Sequence, residues 1–146
     1  MNRLDYKHGH KGFSLLEVLI TILILSVGLL GMASLQLNAM KFNQMAAVRS
    51  HATVLAYDIA DRMRANRTVA KSGGYVIAID AAASGTSIAQ TDLADWKSSL
   101  DRYLPGGLGA VSVSGASGDM VTVTIQWDET RVGGQGNQKF VFETRL

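Results

Sequence analysis

Residues 13–37 carry one ionisable side chain, Glu17, in a run otherwise rich in Leu, Ile and Val. Crossing a hydrocarbon core of about 30 Å on a helix rising about 1.5 Å per residue takes roughly 20 residues. Residues 13 to 33 or 35 supply that length, so this stretch is unavailable for a soluble core. With 146 residues in all, the remainder has room for one compact domain hung on one helix. An acid inside a membrane helix costs up to a few kcal/mol, less near the interface, and such a residue is a functional candidate by default.

Charge around the run sets an orientation. Arg3, Lys7 and Lys11 stand against Asp5 before it, and no comparable basic cluster occurs beyond it until Arg49. By the positive-inside rule the N-terminus is expected in the cytoplasm and the bulk of the chain outside it. A cleaved secretory signal needs an apolar core of only about 7 to 15 residues and a small-residue cleavage site. The run is too long for that, and Gly31-Met32-Ala33-Ser34 is a poor substitute for Ala-x-Ala. A plain anchor fits the length and leaves Glu17 unexplained.

Composition narrows the chemistry. The chain has no cysteine, which removes disulfides and thiolate metal sites, and its three histidines are His8, His10 and the solitary His51. A formal charge of +2 with scattered basic residues argues against a nucleic-acid partner. No Ser/His/Asp or Cys/His set and no convergent carboxylate pair supports catalysis, so neither enzyme, cofactor nor metal is expected. Gly133-Gly134-Gln135-Gly136 leads from a strand into another strand, not into a helix, and therefore lacks phosphate-cradling geometry. It reads as a flexible hairpin loop, with Asp128-Glu129 as a solvated turn beside it.

Cutting the chain after Gly12 would make Phe13 a new, positively charged terminus, with Glu17 one helical turn further on. Lys11-Gly12-Phe13-Ser14-Leu15-Leu16-Glu17-Val18 resembles the prepilin motif of type IV pilins and of type II secretion pseudopilins. The resemblance implies cleavage after Gly12 by a membrane prepilin peptidase, N-methylation of Phe13, and a role for Glu17 in recognising a terminal amine during assembly. The electrostatics agree: an ammonium and a carboxylate in a low-dielectric bundle attract strongly, and either alone is heavily penalised. Such a pair is a register device between subunits.

Apolar periodicity continues past the membrane-length run. Met45, Val48, Ala52, Leu55, Ile59 and Met63 recur at spacings of three and four, which predicts one helix from about Ser14 to Arg64 or Asn66. Asp58 and Arg62, at i and i+4, are placed on its exposed face. Gly28 and Gly31 each cost about 1 kcal/mol relative to Ala in a helix interior. They serve either close packing between helices or bending, without a proline to break the helix. Residues 25–33 with Ala56-Tyr57-Asp58-Ile59-Ala60-Asp61-Arg62-Met63-Arg64-Ala65-Asn66 are similar to the PilV-type minor pilins, or type IV pilus modification proteins.

Beyond Asn66 the periodicity collapses into a connecting region, residues 67–109, where a helix over about 92–104 is capped by Thr91 or Asp92 and stopped by Pro105-Gly106-Gly107. Leu93, Trp96, Leu100 and Leu104 form its core stripe. Three strands come next, around 110–114, 120–127 and 139–146, with Val121, Val123, Ile125 and Trp127 on one face and Phe140 and Phe142 in the same phase. The expected fold is α+β, a type IV pilin fold. In it, a leader (residues 1–12) is removed, a membrane or filament-core half-helix (13–37) runs on into an amphipathic half (38–66), and an antiparallel meander (110–146) packs on the latter.

The resemblance implies a structural subunit of the inner membrane and later of an extracellular pilus, acting in assembly, adhesion and twitching motility. Its implied partners are other minor pilins, the major pilin, the prepilin peptidase, the inner-membrane assembly platform and, before assembly, membrane lipid. A pseudopilin of a type II secretion system and a pilus-displayed adhesive or DNA-binding module are the alternatives.

Overall fold

The computed structural model describes residues 12–115 and 117–146; the leader before Gly12, with His8 and His10, and Ala116 in the first strand turn lie outside them. The chain divides into two compact units, Met1–Met40 and Lys41–Leu146. Helix α1, Leu15–Ala65, runs through both.

In the first unit, Ser14 opens α1. Its hydroxyl accepts from the Leu16 amide at 3.2 Å and its carbonyl accepts from the Val18 amide at 3.2 Å, satisfying donors that a helix start leaves free. Every described side chain up to Met40 is exposed. By length and composition this part of α1 is able to cross a membrane.

The second unit is built on the rest of α1, where the three-and-four spacing becomes a buried stripe of Ala52, Leu55, Ala56, Ile59, Ala60 and Met63. Val48 packs partly against the same core. A single helical turn, α2 (Arg67–Lys71), comes immediately after, at the start of the connecting region, where the sequence predicted no helix before about residue 92. Tyr75 is then fully buried, and Ile77 forms an isolated antiparallel bridge to Val111, so the connecting region contributes core as well as reach.

Helix α3 spans Ile88–Tyr103 and buries Leu93, Trp96 and Leu100, the stripe read from the sequence. It starts earlier than expected. The cap is Ser87, whose hydroxyl accepts from the Gln90 amide at 3.3 Å, and Thr91 and Asp92 lie inside the helix. Thr91 Oγ1 instead donates back to the Ser87 carbonyl.

Strands β1 (Leu108–Ser114), β2 (Met120–Trp127) and β3 (Gln138–Arg145) form an antiparallel sheet in the order β1-β2-β3. Val111 lies opposite Val123, which lies opposite Phe142, and Ile125 lies opposite Phe140. These residues share the face that meets the buried stripe of α1 and α3 in one core. Gly109 permits a close approach, since the Trp96 ring and Leu100 lie where its Cβ would stand. The loop before β3 holds a 3-10 turn, Thr130–Val132, closed by Gly133 in the left-handed region at φ 83°.

Candidate assembly site

At the N-terminal end of α1, Phe13 is 83% exposed just ahead of the first turn. It lines one shallow hollow with Glu17, Val18, Thr21 and Ile22. Glu17 sits in the first turn, where a carboxylate faces the positive end of the helix dipole. Hydroxyls further along are satisfied within the helix: Thr21 Oγ1 donates to the Glu17 carbonyl and Ser26 Oγ to the Ile22 carbonyl, both at 2.7 Å. The Glu17 carboxylate forms no ion pair among the described residues. Geometry thus brings Phe13 and Glu17 to one end and one hollow, both exposed.

Gly28 and Gly31 lie in an unbroken stretch of α1, and a Cβ at either would meet nothing within 4 Å. Within the described residues neither marks a close approach.

The far end of α1 is organised differently from the sequence expectation. Arg62 Nε donates to Asp58 at 3.1 Å, while Nη1 donates to Asp92 of α3 at 3.2 Å and approaches Asp95 at 3.9 Å. Asp92 also accepts from the buried Tyr75 hydroxyl at 2.6 Å, and Asn66 donates to that hydroxyl at 3.3 Å. Burial pulls the Arg62 guanidinium down, and Asp58 and Asp92 more than reverse it, leaving it raised. What looked like a solvent-facing i, i+4 pair is therefore a polar clasp joining α1, α3 and the segment around Tyr75. Residues 58–66 are fixed by that clasp.

Asp128-Glu129 corrects the solvated-turn reading. Asp128 is exposed, whereas Glu129 is 3% exposed. Glu129 accepts from the Trp127 indole at 2.9 Å and from Arg49 Nε and Nη2 at 3.2 Å each. Those bonds hold its carboxyl below the ordinary carboxylate range: first the Arg49 hydrogen bonds, opposed by burial, then Trp127 and the Arg49 charge. A carboxylate with a depressed folded-state pKa stabilises the fold above its unfolded pKa and loses that contribution as pH falls through the folded value. Glu129→Gln should accordingly lower Tm at neutral pH, with the gap to the parent closing as pH drops below about 4. Thermal melts at several pH values check this; a gap constant down to acid pH contradicts it.

Two family models match parts of the chain. A family model for the prokaryotic N-terminal methylation motif matches residues 7–33, and a model for type IV pilin Tt1218 takes up at residue 34 and runs to 97. The first covers Gly12, Phe13 and Glu17; the second covers the amphipathic half of α1, the clasp and most of α3. Over these residues the chain is similar to type IV pilins. No curated protein and no solved structure matches it. Its long N-terminal helix and three-stranded antiparallel sheet are those of the type IV pilin α+β fold. Type IV pilins are structural subunits rather than enzymes; the motif implies processing by prepilin peptidase and assembly with other pilins, and with the apolar helix it fits an inner-membrane anchor later built into the pilus.

Proposed function

We propose that this pilin is a minor subunit of the PilV type, acting in the complex that primes pilus assembly or remains at the tip, and through the pilus in adhesion and twitching motility. The observation that carries the reading is Glu17: the sole ionisable side chain in residues 13–37, one turn from Phe13 and without an ion-pair partner among the described residues. In this reading the peptidase cuts after Gly12, Phe13 is methylated, and Glu17 receives the terminal amine of a neighbouring subunit. Before assembly the N-terminus faces the cytoplasm and residues 41–146 the periplasm. Gly28 and Gly31, open on all sides in the single chain, then serve close packing between neighbouring helices. Partners are the major pilin, other minor pilins and the inner-membrane assembly platform.

Similarity to the PilV-type helix end, residues 56–66, supports the minor role over that of a major pilin, and a type II secretion pseudopilin is the alternative. Mass spectrometry of membrane-extracted protein tests the processing: the expected chain begins at methylated Phe13. A chain still beginning at Met1 in peptidase-positive cells contradicts it. Deleting the gene tests the machine: loss of pili with type II secretion intact is expected, and the reverse outcome assigns the subunit to secretion.

A further inference from the structure

The sheet ends on β3, whose outer edge takes no backbone partner among the described residues. The opposite edge is met by the Ile77 bridge at Val111. An uncovered edge offers a row of backbone donors and acceptors to another strand. The layer beneath is unfilled as well. Tyr57 packs at a tilt against Phe142, with ring centroids 4.6 Å apart and 54° between the ring planes, yet it is 49% exposed, and neighbouring Val54 is 61% exposed. A further strand beside β3 would cover both.

The sequence of β3 specifies which strand fits. Around Val141 it reads Lys139-Phe140-Val141-Phe142-Glu143, with Phe140 and Phe142 facing inward and Val141 outward at 53% exposure. Laid antiparallel on itself about Val141, the segment sets Lys139 opposite Glu143, Phe140 opposite Phe142 and Val141 opposite Val141. Gln138 then meets Thr144 on the inner face. Opposite charges and aromatic pairs directly across an antiparallel ladder are favourable, and this register supplies each of them twice. Moving the axis to Phe142 would set Lys139 against Arg145, two like charges.

We propose that β3 is a pairing edge whose occupant is β3 of a second copy of this chain, antiparallel and centred on Val141. The added strand extends the sheet and places the second copy's Phe140 and Phe142 beside Tyr57 and Val54. The pairing has a direction. Lys139 and Phe140 share a hollow with Arg49 and Thr53, and Arg64 reaches Thr144 and the Arg145 carbonyl, so β3 ascends alongside α1. Paired copies therefore hold these segments of α1 in opposite senses. That suits a contact between two pili lying side by side rather than between subunits anchored next to one another.

Absence of cysteine makes the test selective. Full chain carrying Val141→Cys, purified in detergent, is expected to form a disulfide dimer under mild oxidation, because directly opposed residues in an antiparallel ladder lie within disulfide reach. Ser112→Cys, exposed on β1, is the collision control and is expected to stay monomeric. In the Val141→Cys background, Lys139→Glu alone and Glu143→Lys alone each set like charges opposite one another, and dimer yield is expected to fall on the order of tenfold. Mixing the two restores both attractive pairs and is expected to recover the yield. Equal cross-linking of Val141→Cys and Ser112→Cys overturns the proposal, as does failure of the mixture to recover. Cross-linking in cells only to a protein of different mass assigns the edge to another partner and also overturns it.

Discussion

Glu17→Ala is expected to remove this subunit from assembled pili while leaving it in the membrane. If Glu17 receives a neighbour's terminal amine, deleting the carboxylate strands a positive charge in a low-dielectric helix bundle. Removing one member of a buried ion pair costs roughly 3–5 kcal/mol. At about 1.4 kcal/mol per tenfold, incorporation should fall by about two to three and a half orders of magnitude. Membrane insertion should persist, since the substitution makes the segment more apolar, and processing at Gly12 is the internal check that the chain still reaches the peptidase. Quantitative immunoblotting of sheared pili against membranes, at matched expression, measures the ratio. Wild-type incorporation of the Ala variant, with normal co-purification of other pilins, rules out the pairing role.

Trp96→Ala is expected to give the largest loss of stability in residues 41–146. Trp96 is fully buried, it fills the space left open by Gly109, and its indole N–H donates to the Leu55 carbonyl of α1 at 2.9 Å. One side chain thus ties α3 to both β1 and α1. Truncating a buried Trp to Ala costs about 3–5 kcal/mol, a large share of the roughly 5–15 kcal/mol that holds a domain folded. For about 100 residues each kcal/mol is worth about 4–8 °C in Tm, so melting should fall by more than ten degrees. Trp96→Phe keeps most of the ring and loses the hydrogen bond, and its loss should be a fraction of that. Equal losses in the two variants would move the weight from packing to the Leu55 bond.

Much of this architecture is legible in the residues because its periods are local. Val121, Val123, Ile125 and Trp127 alternate cleanly, and Leu93, Trp96 and Leu100 keep a helical step, so β2 and α3 emerge from their own sequences. Illegible features depend on partners far along the chain. Glu129 reads as a turn carboxylate until Arg49, eighty positions away, is folded against it, and Arg62 reads as a surface pair until Asp92 arrives from α3. The start of α3 was hidden for another reason: Ile88 is exposed and the first buried residue is the small Ala89, so the large apolar side chains of the stripe begin only at Leu93, and the Ser87 cap marks the true beginning. The candidate site at residues 12–17 needs no distant partner to be noticed. Phe13 and Glu17 stand four positions apart in the sequence itself, and the structure leaves both exposed at the start of α1.

The joins between α1 and the rest of residues 41–146 also determine how a pull is borne. Arg49 meets Glu129, the Leu55 carbonyl meets Trp96, Arg62 meets Asp92, and Arg64 meets Thr144. At about 1.5 Å per residue they are spread over roughly 22 Å of helix. Tension along the helix axis then acts on all four joins and the buried stripe between them in shear, together, instead of peeling them apart one after another. A subunit stretched within a fibre would keep its sheet seated until several such joins gave way at once.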